Sequence, residues 1–490
     1  ALYRNGKLAD ITAKNDIILP KNTDNYKVTT AELDIPSDGG KYTAKAMLVT
    51  DTGNIKPLKR AEFINSVTKY SDYYVDPING NDSADGTADN PVRTLKCAKT
   101  MVNAVKHNMT GDIYIHLMPG RYSIGETEVF REEDSGENGF DIVYKGTEGT
   151  VISGGTSAKV WELYDASKNI YAAESGGRYA RQIYVDGKRA VRARSEGGLS
   201  DISTDNGENG FTTSDMTLNG LSNISDVELV FRKIWTNPRV AVKSVGLSGG
   251  KLNVEMSQPA WFKARNNGQP SVTEPWYIEN AYELLDSENE FYIDKTSKKM
   301  YYKPQNGSVP QEAVVPKLQT LIQITGTDAD SHVHNIRFEN IAFEHTAWEK
   351  PTEDGGYVEN QNNYSADGYD IYVPPAAVEI KNADNIKITG CKFSKLGSIG
   401  LKAETAVQDL DITGNKFTDI SGGAMCIGLP GTVYMPEIIN PQKYSASLNN
   451  ISVKNNYIDG IGNEYRGSAA LSVGFVSNSA VEHNEICNIP

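Results

Sequence analysis

The densest run of side chains able to move protons or hold a polar ligand lies between 344 and 367: Glu344, His345, Trp348, Glu349, Glu353, Asp354, Glu359 and Asp367. A second, Gly462-Asn-Glu-Tyr-Arg-Gly, sets Glu464 two residues before Arg466. A third is the separated pair Asp419 and Asp459. Two carboxyl groups across a groove can cleave a glycosidic bond, one protonating the leaving oxygen and the other acting as base or nucleophile. On that chemistry Glu464, Asp419, Asp459 and Glu349 are the candidate acids. Trp348 offers a flat face to a sugar ring, with His345, Glu349, Asp354 and Arg466 as polar partners around it. Each has a plainer reading: a solvated acidic loop anchored by one aromatic, a hairpin ion pair, or ordinary strand-end turns.

Arg178, Arg181, Lys188, Arg189, Arg192 and Arg194 form a basic run. It could clamp uronic acids through bidentate pairing, or it could be the charged face of an exposed strand. The Asn/Asp-rich turn at 76–85 has oxygen ligands for calcium but not the EF-hand spacing, so a ladder of turns is expected and no cofactor is required. The cysteines (97, 391, 426 and 487) are far apart and show no metal-ligand spacing, so no metal site is expected.

These residues need a scaffold, and an internal repeat supplies one. Segments starting at Asn335, Asn385, Asp409, Asn450 and Asn478 align without gaps over twelve positions. Position four holds Phe338, Ile388, Ile412, Val453 and Val481, and position nine holds Phe343, Phe393, Phe417, Ile458 and Ile486. Position six holds Asn340, Gly390, Gly414, Asn455 and His483, types that tolerate a left-handed backbone, as one recurring bend would require. Leucine-rich repeats would need regular Leu spacing, an asparagine ladder and helical segments. The Ile, Val and Phe columns favour an all-β chain, a parallel β-helix. The 344–370 and 462–467 loops both leave their coils between positions nine and twelve, so both are expected on the same side of the stack.

Elsewhere, residues 1–70 alternate in short runs and read as the C-terminal part of a β-sandwich module. Residues 73–160 read as the start of the β-helix, with a capping helix over 91–107 whose Leu95, Ala98, Met101, Val102 and Val105 make one apolar stripe. Residues 160–305 are rich in Trp, Tyr and alternating strands and read as an inserted β-rich subdomain. Residues 306–490 read as coils ending mid-coil. The 44 glycines, and 26 tyrosines against 12 phenylalanines, fit a β-rich chain with many turns. A formal charge of −14 argues against nucleic acid or an anionic membrane as partner. No apolar run reaches the ~18 residues of a membrane span.

Tyr74-Val-Asp-Pro-Ile-Asn-Gly-Asn-Asp with Pro91-Val-Arg-Thr-Leu resembles the opening of carbohydrate-active right-handed β-helix proteins, and the resemblance implies a right-handed parallel β-helix, a pectate-lyase-like solenoid. Ile183-Tyr-Val-Asp-Gly-Lys-Arg-Ala-Val-Arg-Ala-Arg, Trp276–Asp286 with Glu290-Phe-Tyr-Ile-Asp, Phe343-Glu-His-Thr-Ala-Trp, Gly462-Asn-Glu and Glu482-His-Asn-Glu-Ile-Cys-Asn-Ile-Pro are more specific. Together they resemble glycoside hydrolase family 141 and its relatives, which include fucosidase and xylanase activities, over residues 73–490. The resemblance implies a secreted or cell-surface bacterial protein acting on a polysaccharide or oligosaccharide. It also implies further coils after Pro490 that carry the catalytic carboxylates, so the stretch alone is expected to be inactive. One departure is Tyr465, where relatives carry an acidic residue. A polysaccharide lyase and a non-catalytic carbohydrate-binding or surface protein are the competing readings.

Overall fold

A computed structural model describes residues 72–204, 208–233, 236–266, 274–349, 373–428 and 448–490 in full, and the backbone of short strands within 2–67 and 365–372. The chain divides into Ala1–Asp72 and Tyr73–Pro490. In the first unit, strands Lys7–Asp10, Leu2–Arg4, Tyr42–Ala44 and Ser66–Val67 form an antiparallel sheet in that order, and Ala46–Val49 pairs with Pro57–Ala61.

The second unit is nearly all β. Its frame is three parallel sheets that the chain visits in rotation. The first runs Asp72–Val75, Ile113–Leu117, Ile142–Lys145, Val333–Glu339, Ala383–Thr389, Val407–Thr413 and Leu448–Lys454, and ends on two short strands, Val476–Ser477 and Ala480–Glu482. The second stacks Gly120–Ser123, Thr150–Ser153, Ala342–Glu344, Lys392–Leu396, Lys416–Ile420, Tyr457–Asp459 and Glu485–Cys487. The third stacks Glu128–Phe130, Ile322–Thr325, Ala376–Lys381, Ile399–Ala403, Met425–Ile427 and Leu471–Val473.

The repeat segments lie in register. Phe338, Ile388, Ile412, Val453 and Val481 are successive partners in the first sheet. Phe343, Phe393, Phe417, Ile458 and Ile486 are successive partners in the second. Phe393 and Phe417 stack with centroids 4.5 Å apart and ring planes 7° apart, close to the spacing of paired strands. The bend at position six is left-handed in all five segments, with φ from 54° at Asn455 to 70° at Gly414. Positions one and eleven are left-handed too: Asn335, Asn385, Asp409, Asn450 and Asn478, then His345, Lys395, Asp419, Gly460 and Asn488. Asn and Asp carry most of these positions because their short polar side chains tolerate that backbone.

Position seven corrects one sequence criterion. An asparagine ladder, counted above as a mark of leucine-rich repeats, runs through this stack. Asn415 Oδ1 accepts from the Cys391 amide (2.8 Å), Asn456 Oδ1 from the Asn415 amide (2.9 Å) and Asn484 Oδ1 from the Asn456 amide (2.9 Å). Their Nδ2 groups donate to the carbonyls of Ile388, Ile412 and Val453 in the coil before, each at 2.9 Å. Buried bend amides and carbonyls are thereby paired.

Helix Leu95–Asn103 turns Leu95, Ala98 and Val102 into the core of the first coils, and its Thr94 cap accepts from the Cys97 amide. In the 76–85 turn, Asp76 accepts from the amides of Ile78 and Asn79, and Asp85 from Thr87. Asp82 accepts from Arg93 and Thr94. Asp76 and Asp85 cap their own turns and Asp82 ties the turn to the start of the helix, and among the described residues no metal-binding group converges. Cys391 and Cys426 are buried, and all four cysteines are free thiols.

Between Thr150–Ser153 and Ile322–Thr325 the chain leaves the coils. Strands from Gly155–Ala158 to Ala313–Pro316, antiparallel except where Val191–Arg192 runs parallel to Glu290–Ile293, fill this excursion, which extends past 160–305 at both ends. Its larger core gathers around Trp261, Phe211 and Phe231. This excursion and those after Ala342–Glu344 and Tyr457–Asp459 all depart at the same corner, from the second sheet to the third.

The ladder makes a direct prediction. Asn456→Ala strips partners from two buried backbone groups, the Asn415 amide and the Ile412 carbonyl, at about 1–3 kcal/mol each. Denaturant unfolding should show a loss of about 2–4 kcal/mol; a variant as stable as the parent would mean that the ladder is not structural.

Candidate functional site: the cleft between insertion and coils

The shared corner brings the insertion down onto the coils. Arg189, on a two-residue strand of the insertion, reaches into the stack. Its Nε donates to Asp419 Oδ1 (2.6 Å), Nη1 to Ser421 Oγ (2.8 Å) and Glu464 Oε1 (3.3 Å), and Nη2 to the carbonyls of Leu396 and Asp419 (2.9 Å each). Gln182 Nε2 donates to Glu464 Oε2 at 2.7 Å. Both Glu464 oxygens are therefore held by the insertion. The Arg189 guanidinium also lies 5.1 Å from the centre of the Tyr184 ring.

Above this anchor is a buried ionic cluster. Arg181 makes a two-pronged pair with Glu228 (2.6 and 2.8 Å); Arg192 bridges Glu228 (3.1 Å) and Glu279 (2.7 Å); Arg239 Nε donates to Glu279 (3.2 Å). Burial alone would raise the Glu228 carboxyl, but Arg181 and Arg192 hold it well below the ordinary range. Tyr465, where the resembling proteins carry an acid, lies with its ring 5.2 Å from the Arg239 guanidinium and 5.0 Å from the Trp348 ring. Three arginines thus face two glutamates and an aromatic ring.

Between these parts opens a cleft of about 440 Å³. Arg194, Arg239, Trp276, Tyr277 and Glu290 line it from the insertion, and Asn463, Glu464 and Arg466 from the coil loop. Arg466 lies 4.9 Å and Arg232 5.7 Å from the Trp276 ring centre, and Arg194 lies 5.2 Å from that of Tyr277. Burial pushes the Glu290 carboxyl above its ordinary range, while amides of Ser287, Asp286 and Arg194 oppose the shift. An aromatic floor with arginines and fixed carboxylates suits a polar, ring-shaped ligand such as a sugar.

Several sequence expectations change here. Glu464 and Arg466 do share a cleft. Trp348 is 5% exposed and packs on Tyr465, so its ring is not open to stack on a sugar. That same contact brings the start of the 344–370 loop against 462–467. His345 is buried at a left-handed bend, and its Nδ1 is 2.9 Å from Ser153 Oγ, so it is a structural residue with no open ring nitrogen at a groove. Asp419 and Asp459 do not form a pair. Asp459 sits opposite Thr418 and is bonded by Asn488 (2.7 Å), whereas Asp419 turns at its bend towards Arg189. Glu349 is exposed, its amide donating to Gln319 Oε1 (3.0 Å), and Asp354 lies outside the described residues. The basic run is not an exposed strand face, since Arg181, Arg189 and Arg192 are consumed by carboxylates. Sequence reasoning missed Arg239, Trp276, Tyr277 and Glu290 as cleft residues. The only signal was that Trp276, Tyr277 and Glu290 fall inside the quoted family-like segments.

Comparison with known proteins agrees with this division. Residues 169–305 match the model of the GH141 insertion domain. A solved glycoside hydrolase is 28% identical over 86% of this chain and 78% of its own, with a TM-score of 0.74. A xylose complex of XylC is 11% identical over 85% of this chain and 59% of its own, and its TM-score of 0.42 is too low to bear on the fold. No curated protein matches. The chain thus resembles the GH141 carbohydrate-active proteins and carries their type of insertion.

Burial of His345 has a measurable consequence. Desolvation lowers its pKa from 6.5 to about 4, so the unfolded chain binds this proton more readily than the folded one. The contribution is whole above pH 6.5 and is lost as pH falls through 4, at most ~3 kcal/mol. Melting curves from pH 7 to 4 should steepen this loss in the parent relative to His345→Gln; parallel curves would contradict the assignment.

Proposed function

We propose that this chain belongs to a secreted bacterial glycoside hydrolase, fucosidase- or xylanase-like, on a right-handed parallel β-helix. The observation that carries the reading is the cleft at the shared corner, where the insertion's Trp276 and Tyr277 face Glu464 and Arg466 of the coils. The right hand is supported by the strong preference of parallel crossovers for that sense. The likeness at 28% identity to a glycoside hydrolase supports the reaction class. A polysaccharide substrate argues for action outside the cell, and the acidic charge against nucleic acid.

On this reading the cleft binds and orients the glycan. Glu464, held by Gln182 and Arg189, accepts from sugar hydroxyls, and Trp276 covers an apolar ring face.

The test is a screen of plant and host glycans with product analysis, using the full-length protein and this chain. The expected result is binding by both, and hydrolysis products without unsaturated ends from the longer one. Trp276→Ala should weaken binding about tenfold, ~1.4 kcal/mol. Unsaturated products would select a lyase, and binding by the full-length protein without turnover a non-catalytic role. Affinity unmoved by Trp276→Ala and Glu464→Gln would remove the cleft as the site.

A further inference from the structure

The cleft's charges are not balanced in the way the rest of the insertion's are. Behind its wall Arg181, Arg192 and Arg239 are matched by only Glu228 and Glu279, and Arg239 itself lines the cavity. At its mouth, Arg194 and Arg466 are exposed, and each rests on an aromatic ring rather than a carboxylate. In a chain with 63 acidic against 49 basic residues, two arginines converging on one cavity with no ion pair among the described residues are unexpected. The cleft's own acids do not serve them. Glu464 is held by Arg189 and Gln182, and Glu290 by backbone amides. Glu288 accepts from the Asn306 amide, leaving Glu196 as an exposed rim carboxylate. Guanidinium groups set over aromatic rings keep their in-plane N–H donors for an incoming ligand, and they fit planar or tetrahedral oxyanions in a bidentate way.

We propose that the mouth of this cleft is a subsite for an acidic sugar, with Arg194 and Arg466 taking its anionic group while Trp276 and Tyr277 flank the ring. The inference rests on the cleft being the glycan site and adds the class of glycan. A uronate carboxylate and a sulfate ester present the same chemistry to two guanidinium groups.

The full chain is titrated calorimetrically with tetragalacturonate, a κ-carrageenan tetrasaccharide and neutral galactotetraose. The expected result is binding of one anionic ligand at least tenfold tighter than galactotetraose, the stronger one naming the group. Arg194→Gln and Arg466→Gln should each weaken that ligand about fivefold or more, and the double variant should abolish the preference, bringing that ligand's affinity level with that for galactotetraose. Both side chains are exposed, so folding should be kept, as thermal melting would verify. Lys251→Gln, the same charge change at an exposed position of the Lys251–Met256 strand, should change nothing. Equal affinity for acidic and neutral ligands, a preference that survives the double variant, or an equal loss in Lys251→Gln overturns the inference and leaves the glycan cleft standing. Absence of binding by all three, and by every glycan of the wider screen, overturns both.

Discussion

Strand register between coils is the constraint on which the rest of the second unit depends. In the five repeat segments each coil turns at left-handed residues five positions apart, and those turns stay superimposed because like residues stack inside and asparagines pair the bend amides of Cys391, Asn415 and Asn456. Slippage by one residue would send Phe393, Phe417 and Ile458 outward and the polar residues beside them inward. The register therefore resists change along the whole stack, and every excursion must leave from a bend.

That rule explains why the cleft lies where it does. Excursions from one corner on different coils are stacked above each other, so segments far apart in sequence become neighbours. Gly397 allows this closeness: a Cβ there would lie 2.6 Å from the Ala347 backbone. Arg189 then joins the insertion to three places on the coils at once. An arginine so placed is costly to desolvate and holds position only because each of its nitrogens finds an acceptor. The cluster of Arg181, Arg192, Arg239, Glu228 and Glu279 does the same inside the insertion, giving the cleft wall a fixed charge pattern.

The repeat columns, the bend at position six and the apolar stripe of helix Leu95–Asn103 were legible because they depend on residue type at fixed spacing. The same reasoning erred where fate depends on neighbours. Trp348 and Arg181 are typical binding residues by type, and each is buried by a partner more than 40 positions away. The asparagine ladder was misjudged because spacing does not show which coil an amide faces.

The sequence by itself determined the all-β character, the period and inward face of the coils, and the corner from which the later loops depart, since these follow from local propensity and alternation. Only the tertiary structure decided the cleft. Glu464 meets Gln182 across 282 positions, and Arg189 meets Asp419 across 230. No local pattern encodes a pairing at that distance. Burial and charge compensation select it once the corner has brought the insertion and coils together.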